Sequence, residues 1–192
     1  MAIRYLSAST AFLIACVALF ATSCVVKETV ENIFTDAKSV GAPSFEAESF
    51  SHGHIALADL SGKPVVINFW FPSCPPCRAE LGGFEWAYKH FSPVGIEFIG
   101  VQQLGLDSAV DGQRFLEELV ITYPNIPDIN NTIQRDYKVL YYPTTFFLDV
   151  NHNIARKWVG QIERKELLEI LNQLTTYYPT ENAESNNKFT NH

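Results

Sequence analysis

The sequence predicts an α/β fold in which a mixed central sheet is flanked by helices. Residues 65–71 and 96–102 are nearly continuous apolar runs, as expected of strands that are buried on both faces. Between them, residues 75–91 repeat apolar side chains every three or four positions, which predicts an amphipathic helix. Two strands joined by a crossover helix form the unit from which parallel sheets are built.

The remaining elements follow in an order typical of one known architecture. We predict a second helix over 108–121, with Val110 facing the sheet, a short helix over 131–137, an antiparallel hairpin of strands 145–150 and 154–160, and a closing amphipathic helix over 163–175. The order β-α-β-α-β-β-α is that of the thioredoxin fold.

Length and charge limit the function classes. The chain has 192 residues and a net charge of −7, which suits one folded domain and disfavours nucleic acid, because phosphate binding needs clustered Lys and Arg. We assign residues 1–23 to a signal or membrane segment, 24–40 to a tether, 41–177 to the folded domain and 178–192 to a disordered tail.

The N-terminal segment predicts export. Residues 5–22 are apolar and follow Arg4, and the stretch Ala21-Thr22-Ser23-Cys24 resembles a bacterial lipobox. Lipidation of Cys24 is the favoured interpretation. Two alternatives are an uncleaved helix over 5–26 and release by ordinary signal peptidase. All three place the domain outside the cytoplasm.

Cys74-Pro75-Pro76-Cys77 is the predicted redox centre. Cys74 follows a buried strand and is placed to cap the next helix, where the helix dipole and the Cys77 amide favour a thiolate. Pro75 and Pro76 have no N–H to donate. We therefore expect Cys74 to be the nucleophile and Cys77 the resolving thiol, with a redox-active disulfide in place of a cofactor.

Two other uses of the cysteine pair stay open on the residues alone. A zinc site would take its other ligands from His52 and His54. Two prolines argue against it, because zinc knuckles use the N–H groups between the cysteines, and we expect no metal. An inert structural disulfide is the other alternative.

The motifs resemble those of the TlpA/ResA-like thiol–disulfide oxidoreductases. Residues 68–80, NFWFPSCPPCRAE, are similar to the family's active-site signature, and residues 142–149, YPTTFFLD, to its cis-proline segment. Residues 42–45 and 60–64 match the lead-in that adds N-terminal strands before the thioredoxin core. The resemblance covers roughly residues 41–175.

The resemblance implies roles for particular residues. Pro143 would follow a cis peptide bond and face the cysteines, and substrate would bind at Trp70, Tyr142 and Thr144. The Tyr142 backbone would pair with an extended substrate peptide. Apart from the resemblance, Glu80 is the acid nearest to Cys77 in sequence and hence the candidate for proton transfer, but we favour a solvated helix residue at this position.

Two departures from the family pattern bear on the site. Ser73 stands where a Trp is common, which should open the surface beside Cys74, and Gly82-Gly83 stands where a Pro is common.

The resemblance implies an extracytoplasmic enzyme that exchanges disulfides with protein substrates. Apocytochrome c is the leading substrate, and a membrane electron donor would recharge the thiols. One alternative is a peroxiredoxin, whose signature places Pro and Thr seven and three residues before the cysteine, where this chain has Ile67 and Phe71. The other is a binding lipoprotein without catalytic activity.

Overall fold

The computed structural model describes residues 40–177, which contain seven strands and four α-helices. The predicted signal segment, the tether up to residue 39, the tail 178–192 and Cys24 lie outside these residues, so those predictions stay predictions. Within residues 40–177, no helix has both the length and the apolar character needed to cross a membrane.

The described elements form a five-stranded mixed sheet and a separate hairpin. The strands are β1 (Glu46–Glu48), β2 (His54–Ala56), β3 (Val65–Trp70), β4 (Glu97–Gln103), β5 (Asn125–Asp128), β6 (Thr144–Leu148) and β7 (Ile154–Val159). The helices are α1 (Pro75–Phe91), α2 (Ala109–Glu118), α3 (Thr132–Asp136) and α4 (Arg164–Tyr177). The strand order is β5-β4-β3-β6-β7, with β3, β4 and β5 parallel and β6 antiparallel to both of its neighbours. The antiparallel β1–β2 pair is the predicted N-terminal extension. The mixed five-stranded sheet confirms the predicted thioredoxin-like class.

Alternation along β3 divides the core between the two faces of the sheet. Val65, Ile67 and Phe69 join the cluster that also contains Ile133 and Tyr137 from α3 and its C-terminal end. Val66 and Trp70 join the opposite cluster, which contains the buried residues of α1, α2 and α4 and both active-site cysteines. Asn68 lies between these two in the strand, so its side chain is on the cysteine side.

Two details of the prediction are wrong. Strand β5 was not predicted, because it has only four residues and contains Pro127, which is tolerated here since β5 pairs only with β4 at the sheet edge. Val110 was expected to face the sheet but is 66% exposed. The buried residues of α2, Gly112, Phe115 and Leu116, lie on the opposite side of the helix from it.

Candidate active site

Cys74 and Cys77 lie at the start of α1 and are joined by a disulfide bond, with 2.08 Å between the sulfurs. Cys74 is the N-cap residue, and its sulfur accepts a hydrogen bond of 3.2 Å from the Cys77 main-chain N–H. Pro75 and Pro76 fill the first two helical positions, where a missing N–H leaves nothing unsatisfied. The predicted capping geometry is confirmed. The amide and the positive end of the helix dipole both favour a thiolate at Cys74.

The surface beside Cys74 is less open than Ser73 led us to expect. Cys74 is only 3% exposed in the disulfide state, and Cys77 is fully buried. The N–H and the hydroxyl of Ser73 both donate to Asp107 Oδ2, over 3.1 and 2.7 Å. The loop after β4 is thereby attached to the motif. Asp107 was missed at the sequence level, because nothing in its local sequence distinguishes it from a solvated loop carboxylate.

Glu80 is buried, which overturns the expectation of a solvated helix residue. Its side chain is 3% exposed. Glu80 Oε1 accepts from Asn68 Nδ2 over 2.8 Å, and Oε2 accepts from the Ile162 N–H over 2.9 Å. Burial raises the pKa of Glu80 to about 7; the two hydrogen bonds act against that rise, and the charge of Glu163 adds to it. A carboxyl group with this pKa can both take and give a proton near neutral pH.

Asn68 is suited to both protonation states of Glu80. Its Nδ2 also donates to Thr145 Oγ1 over 3.1 Å, whereas its Oδ1 is buried without a partner. If the carboxamide turned over, that oxygen would accept a proton carried by Glu80 Oε1. Cys77 and Glu80 are three residues apart on α1, so they lie on the same face of the helix. The site thus places an acid with a pKa of about 7 one helical turn from Cys77.

The cis-proline segment packs against the redox motif. The Tyr142–Pro143 peptide bond is cis, as predicted, and the Pro143 carbonyl accepts from the Gly160 N–H over 2.8 Å. The Tyr142 ring packs edge-on against Phe71, with 5.2 Å between centroids, and the Phe71 carbonyl accepts the Cys74 N–H over 3.2 Å. In the described part of the chain, the main-chain N–H and C=O of Tyr142 have no hydrogen-bond partner.

Two residues predicted to bind substrate are placed in the core instead. Trp70 is fully buried, donates through Nε1 to Asn125 Oδ1 over 2.9 Å and stacks on Phe115. Thr144 is 1% exposed, and its hydroxyl donates to the Tyr141 carbonyl over 2.7 Å. The physical reason is the same for both, since each belongs to a strand of the sheet whose residues are all buried. Of the three, only Tyr142 keeps groups that a substrate could reach.

The histidines of the zinc alternative are engaged elsewhere. His52 Nδ1 lies 3.0 Å from the Ser51 hydroxyl, and the His54 ring lies 3.3 Å from Glu48 and 3.8 Å from Glu46. Among residues 40–177, no group of three or more His, Cys, Asp or Glu side chains is arranged to hold a metal ion. The structure therefore lends the zinc alternative no support.

Residues 40–157 match the model of the AhpC/TSA family. The chain belongs to that family. It is 32% identical over 164 residues to the thiol-disulfide oxidoreductase ResA of Oceanobacillus iheyensis, covering 81% of this chain and 84% of that one. The ResA of Bacillus subtilis is 28% identical over 154 residues, covering 78% and 85%. The family member described here is a thiol–disulfide oxidoreductase of the thioredoxin superfamily.

Solved structures show the same fold. A thiol:disulfide interchange protein of the thioredoxin family from Chlorobium tepidum superposes with a TM-score of 0.66 at 23% identity, covering 72% of this chain and 98% of that one. At this identity the likeness speaks for the fold alone. The chemistry rests on the cysteine pair and the curated relatives.

Proposed function

We propose that this protein reduces disulfide bonds in polypeptides outside the cytoplasmic membrane, with Cys74 as nucleophile and Cys77 as resolving thiol. The observation that carries the proposal is the Cys74–Cys77 disulfide at a helix N-terminus, with the buried acid Glu80 one turn further on. This arrangement supplies an attacking sulfur, a second sulfur to release it, and a group that accepts the second thiol proton.

The reaction proceeds by two exchanges. The Cys74 thiolate attacks one sulfur of the substrate disulfide, which forms a mixed disulfide and releases the other substrate sulfur as a thiolate. Cys77 passes its proton to Glu80 and attacks Cys74 Sγ, which breaks the mixed disulfide and releases the second substrate sulfur. The substrate has gained two electrons, its two thiolates take protons from solvent, and the enzyme is left with the Cys74–Cys77 disulfide and a protonated Glu80. A membrane-bound dithiol donor then reduces the enzyme in the same way.

A substrate strand has a place to bind next to Cys74. The unpaired main-chain groups of Tyr142 would pair with an extended segment, as in β-augmentation. Leu140 and Tyr141, immediately before them, are 80% and 70% exposed. These apolar side chains suit an unfolded polypeptide, which presents apolar residues beside its cysteines. Apocytochrome c, which must be unfolded and reduced for haem attachment, is the specific substrate we propose on the family resemblance.

The N-terminal sequence is our reason for placing the domain outside the cytoplasm, tethered to the membrane. The apolar run 5–22 and Cys24 favour a lipid anchor, with an uncleaved helix as the alternative. Mass spectrometry of the membrane-extracted protein separates these cases. A Cys24→Ala variant that keeps its mass pattern and its membrane retention would contradict lipidation.

The decisive test is a reduction assay with the full chain in detergent. The reduced protein is mixed with an oxidised peptide of Cys-x-x-Cys-His pattern, and peptide thiols are followed against time. We expect stoichiometric reduction by the wild type, a trapped mixed disulfide with Cys77→Ser, and no reaction with Cys74→Ser.

The same assay separates the two rival functions. Oxidation by hydrogen peroxide that is faster than oxidation by the peptide would favour a peroxidase. No reaction with either oxidant would favour a binding protein without catalytic activity. The equilibrium with glutathione then gives the potential and hence the direction of electron flow.

A further inference from the structure

A cleft of about 330 Å³ lies between α1 and the segment that precedes α4. Ala79, Gly82 and Gly83 form its α1 wall, and residues 161–164 form the wall opposite. Glu80 lines the same cleft, although the side chain as a whole is buried. No residue of the motif loop, of the Asp107 loop or of the cis-proline segment contributes to it.

Gly82 and Gly83 have no side chain that could fill this cleft. A Cβ atom added at Gly82 or at Gly83 would meet no other atom within 4 Å, so packing does not require glycine at either position. Glycine inside a helix is less favourable than alanine, so two in succession weaken α1. At these two positions the α1 wall of the cleft, which Glu80 also lines, has no side chain.

The proposed reaction needs a proton route that is separate from the substrate. Glu80 must take up a proton and lose it again in every turnover. Cys74 and Cys77 are almost or fully buried, and a substrate joined to Cys74 would cover that end of the site further. A proton leaving towards Cys74 would therefore meet the bound polypeptide, whereas the cleft is lined by Glu80 but by none of residues 74–77, and it opens to solvent.

Charged and titratable groups around Glu80 are compatible with such a route. Glu163 and Arg164 line the cleft with opposite charges. Arg164 also packs over the Trp86 ring at 4.2 Å. Tyr123, on the core side, is fully buried and burial raises its pKa well above the usual range, so it stays protonated and does not compete for the proton.

We propose that Glu80 exchanges its proton with solvent through the cleft beside Gly82 and Gly83 while the substrate occupies the Cys74 end of the site. This inference rests on the proposed function, because the proton is the one that Cys77 gives up when it resolves the mixed disulfide. Gly82 and Gly83 take part in this scheme only in that neither has a side chain large enough to exclude water from the cleft.

The test compares three substitutions in the cleft wall, each made in the full chain. Gly83→Leu and Gly82→Leu would fill the cleft. Gly83→Ala also removes the backbone freedom of a glycine, but its methyl group leaves most of the cleft open. Two readouts are taken for each variant. The first is coupling of glycinamide to Glu80 by a water-soluble carbodiimide at pH 6, located by peptide mass spectrometry. The second is the rate at which a preformed Cys74–peptide mixed disulfide is resolved between pH 5 and 9.

We expect Glu80 to be labelled in both the wild type and Gly83→Ala. The two proteins should also resolve the mixed disulfide at similar rates. In both Leu variants, labelling and resolution should fall at least tenfold, while alkylation of Cys74 stays unchanged. An unlabelled Glu80 in the wild type, labelling that survives both Leu substitutions, or blocked labelling with a normal resolution rate would each overturn the route. A wild type that labels at Glu80 but reduces no disulfide would overturn the proposed function instead.

Discussion

Asn68 and Glu80 are joined by a hydrogen bond of 2.8 Å between Nδ2 and Oε1, across the contact of β3 with α1. Asn68 is fixed by strand alternation on the face of β3 that receives the cysteines. The bond stabilises the carboxylate, because an N–H donor favours the charged form of an acid. It is therefore the contact through which the sheet lowers the pKa of Glu80, the acid that we propose accepts the Cys77 proton.

Asn68→Ala should raise the pKa of Glu80 above its value of about 7, since the substitution removes a hydrogen bond that lowers it and leaves the burial that raises it. The pH at which mixed-disulfide resolution reaches half its maximum should move upwards with it. Asn68→Asp is not a suitable control, because it adds a charge. Thr145→Val is a suitable control, since it removes the hydrogen bond from Asn68 to Thr145 and leaves the hydrogen bond from Asn68 to Glu80. An unchanged midpoint in Asn68→Ala would remove this contact from the mechanism.

Glu80→Gln should flatten the pH dependence of stability. The folded state keeps a proton on Glu80 up to about pH 7, whereas the unfolded chain loses it near 4.5. The stabilisation from this proton is complete below pH 4.5 and is lost as the pH rises towards 7. A change from 4.5 to about 7 corresponds to about 3 kcal/mol.

Urea unfolding of the oxidised proteins at pH 4.5, 6 and 8 measures this effect. Between pH 4.5 and pH 8, the free energy of unfolding of the wild type should fall by about 3 kcal/mol relative to that of Glu80→Gln. Glu163→Gln removes the same charge from an exposed neighbour and should run nearly parallel to the wild type. Parallel curves for Glu80→Gln would show that Glu80 titrates normally in the folded protein.

Cys74 should be alkylated faster than Cys77 at and below neutral pH. The Cys77 N–H at 3.2 Å and the helix N-terminus stabilise a thiolate at Cys74, while Cys77 itself is fully buried. Iodoacetamide rates against pH in the reduced Cys77→Ser and Cys74→Ser proteins measure the two sulfurs separately. The double variant corrects for Cys16 and Cys24. Faster reaction of Cys77 near pH 7 would reverse the assignment of nucleophile and resolving thiol.

The fold could be predicted from sequence wherever one local pattern decided the structure. The bounds of α1 agree with prediction at both ends, because Pro75 marks its start and its apolar spacing runs to Phe91. Strand β5 has no such pattern: its four residues are held by β4 on one side, so the partner defines the strand.

Contacts in the site were predicted correctly where the neighbouring residues decide them, and wrongly where distant parts of the chain do. The capping of Cys74 depends on the next three residues. The burial of Glu80 depends on the Ile162 N–H, 82 residues away, and could not be read from α1 alone. Trp70 was placed at the site because it belongs to residues 68–80, which resemble the family's active-site signature, but its position in a strand buried along its whole length directs it into the core.

Gly100→Ala should destabilise the protein through this buried Trp70. A Cβ at Gly100 on β4 would overlap Asn125 Oδ1 and lie 2.9 Å from Trp70 Nε1, so it would displace the hydrogen bond between them. Overpacking and a buried unpaired donor together should lower the free energy of unfolding by about 2–4 kcal/mol. The near-ultraviolet circular dichroism of Trp70, stacked on Phe115, should change as well.

Gly82→Ala is the matched control for that substitution. Its Cβ meets open space inside α1, so it should stabilise the protein by about 0.4–1 kcal/mol. Urea unfolding of the two oxidised variants beside the wild type makes the comparison. Equal stability of Gly100→Ala and the wild type would mean that Asn125 and Trp70 move apart without cost. The hydrogen bond between Trp70 and Asn125 would then contribute nothing to stability.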